Sequence, residues 1–259
     1  MIQLQPGLHS YKIDIENHKI FFKYKYVPDK YNLIIFLHGL ACSGDSFRHL
    51  FDFDYFQNAS LLVPDLVGFG RSSKSDDFSY SMEQQANLCG ELLKMFSFYR
   101  LHIVAHSMGN AVALLLDKDI LSRMESFANL EGNLIGEDCG LLSRGIIEYS
   151  YDEYQKSGFK KYQKEFTGHA QLRFDQTTAA AVYKSAQSLV KWSDSNELLN
   201  RYKNLVCKKC YFWGEENYSM PVLRALEGLD KIMIPNSGHS MMTDNPEEFY
   251  RALRKFILR

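Results

Sequence analysis

Apolar and polar positions along the chain repeat with two periods, and the change from one to the other lays out the fold. Residues 10–16 and 19–27 mostly alternate polar with apolar or aromatic side chains, with Asn17-His18 between them. Alternation of this kind marks a half-exposed strand, so the two segments predict an antiparallel pair at a sheet edge. Residues 33–37 are apolar throughout and stop at His38-Gly39. A strand covered on both faces reads this way. Residues 60–64, 101–105, 211–213 and 231–234 are mostly apolar and read the same way.

Helical spacing fills the intervals. Met82, Ala86, Cys89, Leu93 and Phe96 recur at helical intervals, and Ser81 with Gln84 has the spacing of a capping box. Near the end of the chain Asn245 is placed as N-cap, Pro246 at the first helical position and Glu248 as the reciprocal cap, ahead of Phe249, Leu253, Phe256 and Ile257 on one face. Strands alternating with helices predict a mostly parallel sheet between helical layers, with ligands gathered at the carboxyl ends of the strands.

One stretch breaks this rhythm. Residues 135–204 contain no convincing strand, whereas 151–166 and 177–192 read as helical. So long a segment is not a loop in a compact domain. It is expected to be a helical cap lying over the site, inserted into a core made of residues 1–134 and 205–259. Tyr149, Tyr151, Tyr154, Phe159, Tyr162 and Phe166 in the cap either line an apolar pocket or pack the cap onto the sheet. Lys160, Lys161 and Lys164 read as a solvated helix face.

Composition narrows the function classes. With 259 residues, 46% of them hydrophobic, the chain suffices for one well-buried core. A net charge of −1 argues against a general nucleic-acid binder, which needs a basic surface. No basic region followed by an apolar run opens the sequence, and no apolar segment is long enough to span a bilayer. A cytoplasmic location and a small-molecule partner are therefore expected; the oligomeric state is not legible. Cys207 and Cys210 have the spacing of half a zinc site, yet no second pair or histidine cluster completes one, and the pair runs straight into an apolar strand. No metal and no cofactor are expected.

The chemistry gathers at Ala105-His106-Ser107-Met108-Gly109, a corner between a strand and an apolar run of helical character. A tight strand-turn-helix corner holds its central residue in strained backbone and needs small residues on either side, which Ala105 and Gly109 supply. Taken alone, the string also fits a serine capping a helix. Three other motifs accompany it: Leu37-His38-Gly39-Leu40 after the third strand, Pro64-Asp65 with Gly68 and Gly70 after the fourth, and Ser237-Gly238-His239 after the last.

In this order and spacing the four motifs resemble the α/β-hydrolase superfamily over nearly the whole chain. The resemblance implies an α/β fold with an eight-stranded, mostly parallel sheet flanked by helices and a helical cap inserted after the sixth strand. It also implies Ser107 as nucleophile, His239 as general base, and the backbone N–H groups of Leu40 and Met108 as an oxyanion hole. Asp65 with the Gly68/Gly70 turn shapes the floor of such a site. His38 and His106 match structural positions beside it, and His102 is read as a core residue.

The pattern departs at the acid. Most of the superfamily carries an Asp three residues after the Gly that ends the seventh strand, whereas Gly214-Glu215-Glu216-Asn217 puts an amide there. An amide orients an imidazole but does not offset the charge of an imidazolium. One branch, including certain haloalkane dehalogenases, takes its acid from the end of the sixth strand, here Glu131. Adjacent strands lie about 4.8 Å apart, within reach of a Glu side chain. The candidates rank Glu131, then Glu216, then Glu215. A serine followed by Met108, in place of the dehalogenases' aspartate followed by tryptophan, implies acyl transfer: a serine hydrolase cleaving a small or medium carboxylic ester or thioester through an acyl-enzyme. A carbon–carbon bond hydrolase of the meta-cleavage type and a ligand-binding receptor with little turnover are the alternatives.

Overall fold

The computed structural model describes residues 5–28, 32–140, 142–168 and 171–258; residues 1–4, the start of the N-terminal stretch considered above, lie outside them. Its strands are β1 (Gly7–Ile15), β2 (His18–Tyr26), β3 (Asn32–Leu37), β4 (Ser60–Pro64), β5 (Arg100–His106), β6 (Met124–Leu130), β7 (Lys208–Gly214) and β8 (Lys231–Ile234). They form one sheet in the order β1-β2-β4-β3-β5-β6-β7-β8. β2 pairs antiparallel with both β1 and β4, and every other neighbouring pair is parallel.

The edge hairpin closes one residue earlier than the alternation suggests. Ile15 pairs with His18, so the turn is Glu16-Asn17 and His18 belongs to the strand. Both turn residues have positive φ, 48° and 65°, the geometry by which a two-residue loop matches the twist of its strands.

The helices are α1 (Met82–Lys94), α2 (Met108–Leu114), α3 (Lys118–Leu121), α4 (Ser143–Ile147), α5 (Tyr151–Glu153), α6 (Phe159–Glu165), α7 (Ala179–Asp194), α8 (Glu197–Asn204), α9 (Val222–Ala225), α10 (Met241–Asp244) and α11 (Pro246–Ile257). A π-helical turn, Tyr154–Gly158, joins α5 to α6. Successive side chains of a strand point to opposite faces, and here both faces are covered. Leu33, Ile35 and Leu37 of β3 pack with residues of α1, α2, α7 and α8, while Ile34 and Phe36 pack with residues of α10 and α11. That division explains the unbroken apolar runs.

Two predicted caps differ in detail. Ser81 Oγ accepts the Gln84 N–H at 3.2 Å, but Gln84 Oε1 accepts from the Ser79 N–H at 2.8 Å and not from Ser81. Asn245 makes no side-chain cap on α11; its amide donates to the Pro235 carbonyl at 2.8 Å and ties that helix to the end of β8. Pro246 opens α11, and Phe249, Leu253, Phe256 and Ile257 are buried as their spacing predicts.

A helical insertion, α4 to α8, separates β6 from β7. Within it Tyr154 is fully buried among the rings of Tyr149, Phe159, Tyr162 and Tyr183. Lys160, Lys161 and Lys164 are exposed. Cys207 and Cys210 are unpaired thiols that belong to opposite faces of the sheet. The chain runs from β3 to β4 on one side and returns to β5 on the other, so the loops after β3 and β5 leave side by side at the carboxyl edge.

Candidate active site

Ser107 sits where β5 ends, at φ 51° and ψ −122°, outside the regions that a residue with a Cβ normally occupies. Its N–H donates to the Leu130 carbonyl of β6 at 3.1 Å. Its side chain caps no N–H of α2, which removes the ordinary capping role. Two glycines let the end of β3 lie against this corner. A Cβ at Gly109 would come within 2.5 Å of the Leu37 carbonyl oxygen, and one at Gly39 would come within 3.0 Å of the Ser107 Cβ.

The loop after β3 is fixed by a buried histidine. His38 Nε2 accepts the Leu66 N–H at 2.9 Å, so the ring proton is on Nδ1, which donates to the Gly39 carbonyl at 2.8 Å. Burial holds this imidazole below its usual pKa although Asp65 is near. Asp65 accepts the N–H groups of Gly44 and Arg71, each at 2.7 Å, and so pins the two loops beneath the site. Among the described residues, neither the Leu40 nor the Met108 backbone N–H donates to another protein group.

Glu131 follows β6 at φ 42° and is only 2% exposed. Its N–H continues the sheet by donating to the Phe212 carbonyl at 3.0 Å. Three buried asparagines hold this strained turn against α2: Gly132 N–H donates to Asn129 Oδ1 at 2.6 Å, Asn129 Nδ2 to Asn110 Oδ1 at 2.9 Å, and Asn110 Nδ2 to the Asn133 carbonyl at 2.7 Å. Sequence reasoning missed all three. Their signal was there: Asn110 and Asn129 interrupt apolar runs, and a polar side chain at such a position needs a partner.

The Glu131 carboxylate meets His239. His239 Nδ1 lies 2.8 Å from Oε2, while Oε1 accepts the Gly214 N–H at 2.8 Å. Asn217 Nδ2 is 2.9 Å from both oxygens. Burial pushes the Glu131 carboxyl up, but the hydrogen bond and charge of His239, with the Asn217 and Gly214 donors, outweigh it and hold the group below the usual carboxylate range. With Nδ1–H donated to the carboxylate, His239 Nε2 carries a lone pair. The amide at position 217 thus supports the carboxylate from the neighbouring strand.

His239 is braced from behind. His106 Nε2–H donates to its carbonyl at 3.0 Å, and the two rings lie 4.7 Å apart. Burial, and next the proximity of His239, keep the His106 imidazole neutral. His102 Nδ1 is 2.8 Å from Ser126 Oγ, far from this chemistry. Glu215 and Glu216 are exposed; Glu215 accepts the Asn236 N–H at 2.9 Å, Glu216 lies near Gly238, and the His239 Nδ1 bond goes to Glu131.

Ser107 and His239 line one cavity of about 190 Å³, with Gly39, Leu40 and His106 beside them. The insertion contributes Leu142, Phe166 and Leu172, so of the six aromatics noted in the sequence only Phe166 reaches the cavity. Asp138, which sequence reasoning did not single out, lines it as well. A serine held in strained backbone, lining one cavity with an imidazole that is oriented by a buried carboxylate, is suited to nucleophilic acyl transfer.

The sheet order, the crossing point and this constellation define an α/β hydrolase. The chain belongs to that family: the model of the Alpha/beta hydrolase family matches residues 34–252. It is similar to a probable lysophospholipase, BODYGUARD 4, of Arabidopsis thaliana, at 35% identity over 89 residues, 32% of this chain and 20% of that protein. It is also similar to 2-hydroxy-6-oxo-6-(2'-aminophenyl)hexa-2,4-dienoic acid hydrolase of Metapseudomonas resinovorans, at 24% identity over 77% of this chain and 74% of that enzyme. Among solved structures, an N-acyl homoserine lactonase, AidH, superposes with a TM-score of 0.75 at 15% identity, covering 97% of this chain and 96% of that one, a likeness of fold. The chain spans 20% to 44% of the length of the first curated relatives it matches. Among the described residues no helix is long and apolar enough to cross a membrane.

Proposed function

We propose that this chain is a serine hydrolase that cleaves a small or medium carboxylic ester, cyclic esters and thioesters included, through an acyl-enzyme. Ser107 Oγ attacks the carbonyl carbon as His239 Nε2 takes its proton, and Glu131 offsets the imidazolium that results. The N–H groups of Leu40 and Met108 receive the oxyanion. Collapse expels the alcohol, which leaves with the proton from His239. Water then attacks the acyl-Ser107 ester, giving up its proton to the same nitrogen, and as the intermediate collapses the carboxylic acid departs and Ser107 Oγ takes that proton back from His239. The helical segment 135–204 acts as a cap that selects the acyl group.

The observation that carries this reading is the 2.8 Å contact between His239 Nδ1 and the buried Glu131 carboxylate, with His239 lining the same cavity as a serine at φ 51°. The lactonase and lysophospholipase among the similar proteins fit an ester substrate. Similarity to the dienoic acid hydrolase favours carbon–carbon bond cleavage as the second reading, since the same serine and histidine would serve it. Hydrolysis of 4-nitrophenyl esters of graded acyl length, with the Ser107→Ala protein as control, separates these readings. Turnover is expected for wild type and absent for the variant, and Phe166→Ala is expected to move the optimum to a longer acyl chain. Tight ester binding without turnover by wild type would instead indicate a receptor.

A further inference from the structure

The cavity holds one carboxyl that the proposed reaction leaves unused. Asp138 lies on a short 3-10 turn, Gly136–Cys139, soon after the chain leaves β6. Its Oδ2 accepts the N–H groups of Leu134 at 2.8 Å and Ile135 at 3.1 Å. Its Oδ1 is buried and has no hydrogen-bond partner among the described residues. Buried acceptors without donors are few in folded proteins, and one beside a reaction cavity calls for a reason. The two backbone bonds account for Oδ2 alone.

The electrostatics of the cavity point the same way. Among the described residues that line it there is no lysine or arginine, and His106 is neutral. Leu40, Leu142, Phe166 and Leu172 supply apolar surface. Burial pushes the Asp138 carboxyl up to about 6, so it is largely ionised at neutral pH. A substrate carboxylate entering here would meet the Asp138 anion and, among the described residues that line the cavity, no lysine or arginine to balance it. An N–H or O–H donor reaching the buried Oδ1 from the cavity would satisfy an oxygen that has no partner among the described residues.

We propose that Asp138 determines specificity: its Oδ1 accepts a hydrogen bond from an N–H or O–H group on the substrate, and its charge excludes substrates that carry a carboxylate. The substrate class is then a neutral carboxylic ester bearing a hydrogen-bond donor, a refinement that rests on the serine-hydrolase reading above. It also separates this chain from hydrolases of carboxylate-bearing dienoic acids.

Three esters of matched length test this: 4-nitrophenyl hexanoate, 4-nitrophenyl 3-acetamidopropanoate and the mono-4-nitrophenyl ester of adipic acid. Wild type is expected to favour the acetamido ester over the hexanoate by about tenfold in kcat/KM, the scale of one hydrogen bond to a charged group, and to disfavour the adipate by about tenfold. Asp138→Asn keeps an oxygen for the Leu134 and Ile135 N–H groups and removes the charge. With its NH₂ where Oδ1 was, it is expected to remove the preference for the acetamido ester over the hexanoate and the discrimination against the adipate. Wild type cleaving the adipate as readily as the hexanoate would overturn the proposal. So would a variant in which all three rates fall together, the mark of a residue that only braces the turn. If the variant fails to fold, the wild-type order alone decides. If wild type cleaves no ester, the serine-hydrolase reading fails by itself, and calorimetric binding of the same three esters to the Ser107→Ala protein decides the specificity claim, equal affinities refuting it.

Discussion

Replacing Glu131 by Gln probes the carboxylate at the point where the chain departs from most of its relatives. Oε1 faces the Gly214 N–H at 2.8 Å, Oε2 faces His239 Nδ1 at 2.8 Å, and Asn217 Nδ2 lies 2.9 Å from both. A glutamine has two ways to sit there. With its oxygen toward Gly214 and Asn217, its NH₂ faces His239 and forces Nδ1 to accept, which moves the ring proton to Nε2 and leaves no base for Ser107. Turned over, it sets its NH₂ against both of the other donors. The first arrangement satisfies more hydrogen bonds, so the wrong tautomer is expected to dominate. In a related triad the acid-to-amide change lowers turnover about ten-thousandfold for this reason. Here the expected loss in kcat/KM is about a thousandfold or more, equivalent to about 4 kcal/mol or more of transition-state stabilisation. The assay is initial-rate hydrolysis of a short-chain 4-nitrophenyl ester, with circular dichroism to confirm folding. Glu215→Gln and Glu216→Gln are expected to stay within about tenfold of wild type, because both side chains are exposed and the His239 Nδ1 bond goes to Glu131. A dead Glu216→Gln beside a near-normal Glu131→Gln would move the acid to the seventh strand. Three active variants would mean that a Ser-His dyad suffices and that the reasoning from charge is wrong.

Ser107→Ala and His239→Ala should each abolish ester turnover, and the double variant should be little worse than either, since members of a triad act as one unit; multiplicative losses in a steady-state assay would count against the assignment. His38→Leu strands the Leu66 N–H and the Gly39 carbonyl, so urea unfolding should report a loss of about 2–4 kcal/mol. An unchanged midpoint would show that those groups find other partners. The Asp138 carboxyl, at 3.8 in its ordinary state and about 6 when folded, binds more protons in the native state between those values, so its contribution to stability falls as pH rises through that window. The melting temperature of Asp138→Asn, measured against wild type, should therefore shift in the variant's favour from pH 4 to pH 7. A shift the other way would mean that the anion is stabilised by its surroundings.

Much of the fold was legible because each strand's environment leaves its mark on composition. Residues 33–37 of β3 are apolar on both faces because both are covered, and the edge hairpin alternates because only one of its faces is covered. The hairpin turn was misplaced by one residue, since Glu16 gives no sign in sequence that it takes positive φ. Local spacing also does not say where a cap side chain goes. Asn245 had the Pro235 carbonyl within reach and Gln84 had Ser79 just ahead of its helix, partners that lie outside the spacing of a capping box. The site divides in the same way. Ser107 and His239 stand in motifs with a physical reason for each neighbour, and Glu131 was reached through the charge that Asn217 cannot supply. That Asn217 would turn its amide onto Glu131 was not legible, because it depends on β6 and β7 lying in register at Leu130 and Phe212. Asp138 gave no signal at all: its part depends on a cavity that exists only when the insertion folds over β6.

Ser107 as the nucleophile is tested most directly by a fluorophosphonate probe followed by intact-mass measurement and peptide mapping. The account predicts one adduct per chain, placed on Ser107, lost in Ser107→Ala and strongly slowed in His239→Ala and Glu131→Gln, with the parent mass of wild type unchanged otherwise. Labelling that is absent from wild type, or that persists in Ser107→Ala, would contradict it.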